Sequence, residues 1–103
     1  MVKKVVYLKV AVQDLLTIYT YISDDSVRYA RLEIQKIKAF AESLKYHPLK
    51  GRYYKTIKDR QIRSAIFKHY SVFYSIDDNQ INILTIHHHS RLISNNPAFT
   101  DED

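Results

Sequence analysis

A chain of 103 residues with 46% hydrophobic residues, a net charge of +5 and no cysteine suffices for one packed domain, and it excludes disulfide frameworks and thiolate metal sites. The apolar amino-terminal stretch is broken by Lys9 and followed by Asp14, so it lacks the core of a signal peptide. No run of about 18 apolar residues occurs, so we expect no membrane span and a cytoplasmic setting. We predict one domain over residues 1–93 and an irregular acidic tail over residues 94–103.

The first half of the chain predicts a strand followed by a helix. Residues 3–10 are rich in β-branched and aromatic side chains, which favour a strand. From Ala11 the apolar side chains recur at steps of three and four, which predicts an amphipathic helix. The stripe that we expect in the core is Val12, Leu15, Tyr19 and Ile22.

A second helix is predicted over residues 27–45. Residues 23–26 are short polar side chains, which cap the free N–H groups of a helix that follows them. Two helices joined by a short turn form an antiparallel hairpin when their apolar stripes face each other. The core stripe expected for the second helix is Ala30, Ile34, Ile37, Ala41 and Leu44.

Four strands are predicted after the helices, over residues 52–57, 61–69, 70–76 and 81–88. Pro48 cannot continue a helix, and Gly51 is suited to a positive φ. Turns are expected at residues 58–59 and 77–80. The element order therefore predicts an α+β domain, with an N-terminal strand, an antiparallel helical hairpin and a four-stranded antiparallel β meander.

The positive charge is concentrated in one segment. Residues 45–69 hold eight Lys or Arg and one acid, Asp59. Such a segment suits a nucleic acid or an acidic protein, although a solvated basic face explains the composition equally well. The binding residues that we predict from it, with one aromatic side chain for stacking on bases, are Lys50, Arg52, Lys55, Lys58, Arg60 and Tyr70.

The last strand ends in three histidines, residues 87–89. Because successive strand residues point to opposite faces, His87 and His89 are on one face and His88 on the other. No carboxylate or thiol lies at a supporting spacing, so we predict neither a metal nor a cofactor. A single glycine also excludes a glycine-rich phosphate loop.

The remaining catalytic candidates are Arg63, His88 and Arg91. Cleavage of RNA without a metal needs a proton acceptor, a proton donor and cations beside the phosphate. His88 suits acid–base chemistry near neutral pH, and the two arginines, with Lys55, suit a phosphate clamp.

Over residues 5–91 the chain resembles the RelE/ParE superfamily of type II toxin–antitoxin toxins. The resemblance rests on an early strand and on the order and spacing of several short motifs. They are Asp14-Leu15 through Tyr21-Ile22, Ala30, Pro48-x-x-Gly51, Arg63 seven residues before Tyr70, Val72-Phe73-Tyr74, Ile81-x-Ile83-Leu84 and His88-x-x-Arg91.

This resemblance implies a βααββββ toxin of the plasmid-stabilisation kind, neutralised by a cognate antitoxin in a heterotetramer or larger complex. RelE-like members cut mRNA on the ribosome, whereas ParE-like members inhibit DNA gyrase without being nucleases. Arg63 with His88-x-x-Arg91 looks closer to the ParE-like branch, and Ser64 and Ala65 stand where RelE-like nucleases often carry further cations. Three alternatives stay open: a gyrase inhibitor, a ribosome-dependent endoribonuclease using His88 and Arg63, and an inactive remnant that only binds antitoxin.

Overall fold

The computed structural model describes residues 4–88 and confirms the predicted α+β architecture. Seven elements follow one another along the chain. They are β1 (Lys4–Tyr7), α1 (Lys9–Ser23), α2 (Val27–Ser43), β2 (Arg52–Ile57), β3 (Arg60–Phe67), β4 (Tyr70–Asp77) and β5 (Gln80–His88). The predicted tail over residues 94–103 lies outside the described residues, and so do His89 and Arg91 at the end of the predicted domain.

All five strands form one mixed sheet in the order β1-β5-β4-β3-β2. The last four strands are the predicted antiparallel meander, and β1 adds a parallel pairing with β5. The turn at Lys58 and Asp59 and the turn at Asp78 and Asn79 both have positive φ at their two central residues. This backbone matches the twist of a β-hairpin, so both predicted turns are confirmed.

The helical hairpin packs on one face of the sheet. Ser26 begins α2 as predicted, because its hydroxyl accepts the backbone N–H of Tyr29 at 3.1 Å. The α2 stripe is buried as expected, apart from Ile34, which is half-buried. A smaller cluster of Ile62, Phe73 and Leu84 has Leu8 and Ile57 packed against it.

The stripe predicted for α1 is wrong in part. Val12 is 53% exposed, whereas Ala11 and Asp14 are the buried residues of this helix. Strand β1 ends at Tyr7, opposite Ile83, so the edge of β5 beyond that point has no neighbouring strand. Asp14 takes its place: its carboxylate accepts the Thr85 hydroxyl and, at 3.0 Å, the backbone N–H of Ile86.

The Asp14 carboxylate thus bonds to β5 where a strand would otherwise pair. This explains why the end of β1 and the start of α1 both differ from the prediction. The expected strand over residues 3–10 stops early because pairing with β5 is finished at Tyr7, and Leu8 then donates its N–H to the Ile83 carbonyl. Helix α1 begins two residues earlier than predicted, which brings Asp14 over the exposed edge. A buried carboxylate is tolerated there because it accepts two hydrogen bonds.

Candidate functional site

The strand register places Arg63 and His88 far apart. Arg63 is opposite Tyr74 on β4, whereas His88 is opposite Tyr70. Tyr70 and Tyr74 are four residues apart on the same strand, a separation of about 13 Å at the rise of a β-strand. The two predicted catalytic residues that the structure describes therefore do not share a site, and Arg91 lies outside the described residues.

The guanidinium of Arg63 is bonded to the backbone. Its Nη1 donates to the carbonyl of Gly51 at 2.7 Å, and the side chain is half-buried. The acceptor belongs to the connection between α2 and β2. Arg63 thus holds a loop, a role that sequence spacing did not reveal.

The same loop, residues 46–51, is held by the hydroxyl of Tyr74, and we call it the pinned loop. This hydroxyl accepts the N–H of Gly51 at 2.8 Å and donates to the carbonyl of Pro48 at 2.7 Å. Burial raises the pKa of Tyr74, against opposing contributions from the Gly51 hydrogen bond and from Arg63. The hydroxyl therefore keeps the proton that it donates.

Gly51 is needed for close approach and not for a positive φ. Gly51 is able to take a positive φ but does not have one. A Cβ at this position would instead lie 2.8 Å from the ring and hydroxyl of Tyr74 and 3.1 Å from the carbonyl carbon of Ser64. Tyr74 is fully buried, so its ring has little room to move.

A second polar cluster lies at the other end of β4, and we call it the histidine end. It comprises Lys68, His69, Tyr70 and His88. The His88 ring is 6.3 Å from that of His69 and meets the Tyr70 ring edge-on at 5.6 Å. The lysine reaches α2, where its Nζ is 3.1 Å from the carboxylate of Glu33.

One member of this cluster, Tyr70, is less accessible than sequence reasoning assumed. Tyr70 is only 7% exposed, which does not suit stacking on a base, and burial raises the pKa of its hydroxyl, with smaller contributions from Glu33 and Tyr29. His87 is also buried, whereas His88 is exposed. This alternation confirms that neighbouring histidines of β5 face opposite ways.

The predicted binding cations follow the far edge of the sheet. Strand β2 is an edge strand, and its hairpin with β3 carries Arg52, Lys55, Lys58 and Arg60. Lys50, in the pinned loop, has its Nζ 5.0 Å from the centre of the Phe40 ring. A basic edge keeps a strand from pairing with another sheet, so these charges have a structural use besides any partner.

A mixed-charge pocket of about 400 Å³ opens beside the pinned loop, and we call it the arginine pocket. Its lining residues are Leu49, Asp59, Arg60, Gln61, Arg63, Ile76 and Asp77. Of the predicted site residues it brings together Arg60 and Arg63. Neither forms a salt bridge within residues 4–88.

An apolar groove of about 330 Å³ lies on the helical side of the molecule, and we call it the helical groove. The exposed side chains of Val12 and Leu16 form part of it, with Lys38 as its one charged member. Its remaining lining residues are Tyr7, Leu15, Tyr19 and Ile34. None of the helices between residues 4 and 88 is long and apolar enough to cross a membrane.

Sequence reasoning assigned no structural role to three residues on which the fold or the sites depend: Asp14, Glu33 and Tyr74. A carboxylate inside an apolar helical pattern was the available signal for the first two. For Tyr74 no local signal was available, because its position opposite Arg63 follows from the strand register. Within residues 4–88 no three His, Cys, Asp or Glu side chains are grouped closely enough to hold a metal.

Comparison with known proteins identifies the family. The model of the ParE toxin of type II toxin–antitoxin systems, parDE, matches residues 5–93. The chain belongs to the ParE toxin family.

A solved structure from the chromosomal ParDE system of P. aeruginosa agrees in fold. It is 20% identical to this chain with a TM-score of 0.70, and the match covers 85% of this chain and 96% of that one. No curated protein matches the chain. Its family makes it the toxin of a type II toxin–antitoxin system.

Proposed function

We propose that this toxin acts by binding a protein target, DNA gyrase, and not by cleaving RNA. The observation that carries the proposal is the position of Arg63, whose guanidinium holds the Gly51 carbonyl about 13 Å along β4 from the strand position facing His88. A general acid or base must lie within hydrogen-bond reach of the atom that it serves, and the clamp cations must contact the same phosphate. This separation favours a structural role for Arg63 over a catalytic role shared with His88.

The family match supports the same proposal, since ParE-like toxins are the gyrase-directed branch of the superfamily. Binding does not require acid–base groups. A toxin that acts by binding can therefore have an arginine whose guanidinium is bonded to its own backbone, as that of Arg63 is. The plasmid-stabilisation role follows from the same membership and is part of the proposal.

The cognate antitoxin is proposed to occupy the helical groove. A groove lined by Val12, Leu16, Tyr19 and Ile34 is suited to the apolar face of an amphipathic helix. Antitoxin segments that are disordered alone would become ordered on binding, which fits a groove open to solvent. The toxin and antitoxin are proposed to assemble into the heterotetramer or larger complex that the family resemblance implies.

The histidine end supports a second candidate, a ribosome-dependent endoribonuclease. Exposed His88 lies beside His69 and Tyr70, so groups that can exchange protons are present on one surface. In that case its cation would come from Lys68 and not from Arg63. The binding residues proposed from sequence, Lys50, Arg52, Lys55, Lys58 and Arg60, would then guide RNA along the basic edge.

One experiment separates these functions: expression of the toxin alone, with mRNA integrity and plasmid supercoiling measured in the same culture. We expect growth arrest with intact transcripts and altered supercoiling, and rescue on co-expression of the antitoxin. Cleaved transcripts with unchanged supercoiling would instead establish the endoribonuclease. Unimpeded growth at a high soluble level would identify an inactive, antitoxin-binding remnant.

A further inference from the structure

The pinned loop exposes large apolar side chains on a rigid backbone. Tyr46 is 71% exposed and Leu49 is 68% exposed. Single exposed apolar residues are ordinary on a protein surface. Here, however, the backbone that carries them is fixed by three hydrogen bonds from buried or half-buried groups of the sheet.

This fixation lowers the cost of binding. A loop that is ordered before it meets a partner does not lose its conformational freedom at that moment. The Tyr74 hydroxyl and the Arg63 guanidinium together satisfy both backbone groups of Gly51 and the carbonyl of Pro48. The backbone of Leu49, which lies between Pro48 and Gly51, is therefore held in place on both sides.

Leu49 forms one wall of the arginine pocket, and Ile76 supplies a second apolar surface. Two arginines and two aspartates complete the charged lining. Arg60 is exposed, and Arg63 uses one nitrogen on Gly51, while Asp59 and Asp77 form no salt bridge within residues 4–88. The pocket therefore holds charges of both signs that form no salt bridge with one another in the described part of the chain.

The balance of these charges indicates the class of partner. A nucleic-acid backbone brings only negative charge, which the two aspartates repel. A polypeptide brings carboxylates that fit the planar fork of arginine, and also amides and cations for the aspartates. The apolar wall at Leu49 and Ile76 suits a side chain next to such a carboxylate.

We propose that the pinned loop and the arginine pocket form a preorganised contact surface for the toxin's protein target, which inserts a carboxylate beside an apolar side chain. This inference rests on the proposed function, because it requires a toxin that acts by binding a protein. It adds that the target surface is separate from the helical groove, where the antitoxin binds.

The test compares two double variants of matched design. Leu49→Ser with Arg60→Gln alters the proposed target surface, and Val12→Ser with Leu16→Ser alters the helical groove. All four side chains are exposed, so both variants are expected to fold, which circular dichroism and a melting curve check. Each is measured for growth arrest, inhibition of purified DNA gyrase and affinity for the cognate antitoxin.

The double variant Leu49→Ser with Arg60→Gln is called the loop variant, and Val12→Ser with Leu16→Ser the groove variant. For the loop variant we expect about a tenfold or greater loss of gyrase inhibition with antitoxin affinity unchanged, since a few central contacts dominate an interface. The groove variant should show the reverse. A loop variant that inhibits as strongly as the parent overturns the inference. So does one that loses antitoxin affinity as much as inhibition.

Failure of the proposed target is distinguishable from failure of this surface. If the parent toxin arrests growth without affecting gyrase, the proposed target is wrong. Growth arrest by the two double variants then decides the inference alone. If only the loop variant fails to arrest growth, the proposed contact surface is supported. If the loop variant still arrests growth, the proposed contact surface is wrong.

Discussion

The pinned loop and the histidine end lie toward opposite ends of β4 and use their polar side chains in different ways. At the pinned loop, Arg63 and Tyr74 bond to the backbone of Pro48 and Gly51. At the histidine end, His88 is exposed and its neighbours are rings and an ion pair. The comparison teaches that residue type alone does not reveal whether a charged group is available for chemistry.

The largest expected effect comes from adding one methyl group at the pinned loop. Gly51→Ala places a Cβ 2.8 Å from the buried Tyr74 ring, so either the loop or the ring must shift. We expect a loss of about 3 kcal/mol in the free energy of unfolding, at the upper end of what overpacking costs. Urea denaturation followed by circular dichroism measures it. A loss no larger than that of an exposed substitution would show that the loop is not held tightly.

Removing the Tyr74 hydroxyl tests the same region more gently. Tyr74→Phe leaves the Gly51 N–H and the Pro48 carbonyl without their partner, and we expect about 2 kcal/mol of destabilisation. Tyr53→Phe is the matched control, since the Tyr53 hydroxyl is bonded to the Thr56 hydroxyl at 2.8 Å on the exposed surface. Its effect should stay below about 0.5 kcal/mol. Equal losses in the two variants would contradict the account of the loop.

At the histidine end the corresponding change is Lys68→Met. It leaves the Glu33 carboxylate, whose side chain is 6% exposed, without its ion-pair partner. We expect about 1–2 kcal/mol of destabilisation, because the exposed lysine lets water replace part of the interaction. Lys45→Met breaks a pair in which the Glu42 side chain is 49% exposed, so water can solvate the carboxylate that is left, and the unfolding free energy should stay close to that of the parent. Thermal melts of the two variants at one pH make the comparison.

The smallest effect is a loss of stability at alkaline pH, which involves one buried tyrosine at each of the two regions and, most strongly, Tyr7 of the helical groove. Burial raises the pKa of Tyr74 and of Tyr70. The pKa of Tyr7 is raised to about 12, mainly by burial and to a smaller extent by the negative charge of Glu42. A raised folded-state pKa means that the stabilisation is present below pH 10 and is lost as the pH rises toward 12. For half-buried Tyr7 we expect on the order of 1 kcal/mol, since solvent screens part of the shift.

Denaturation curves between pH 9 and pH 12 measure this loss, with Tyr7→Phe as the control. The variant should lose less stability over this window than the parent, because phenylalanine does not ionise. Parallel curves for the two proteins would show that Tyr7 does not contribute.

Sequence reasoning predicted the elements and the turns because their causes are local. Apolar periodicity predicts α2. Short polar side chains predict that this helix begins after Ser26 and that a turn lies at Asp78 and Asn79. The parallel pairing of β1 with β5 was not predicted, since it joins strands separated by most of the chain. Local pattern contains no information on such a pairing.

The candidate site was predicted less well for the same reason. Asp14 bonds to Thr85, 71 positions away, and Tyr74 bonds to Gly51 across 23 positions. These partners decide that Asp14 is buried and that the loop is fixed. Arg63 was identified as a residue of note, yet its bond to Gly51 followed only from the folded register.

The most direct test of a target-binding toxin is growth arrest by His88→Ala beside the double variant Leu49→Ser with Arg60→Gln, both at the soluble level of the parent. His88 is exposed at the histidine end, and the double variant alters the surface of the pinned loop. We predict that His88→Ala arrests growth as the parent does and that the double variant does not. Loss of arrest in His88→Ala, with arrest retained in the double variant, would contradict this account.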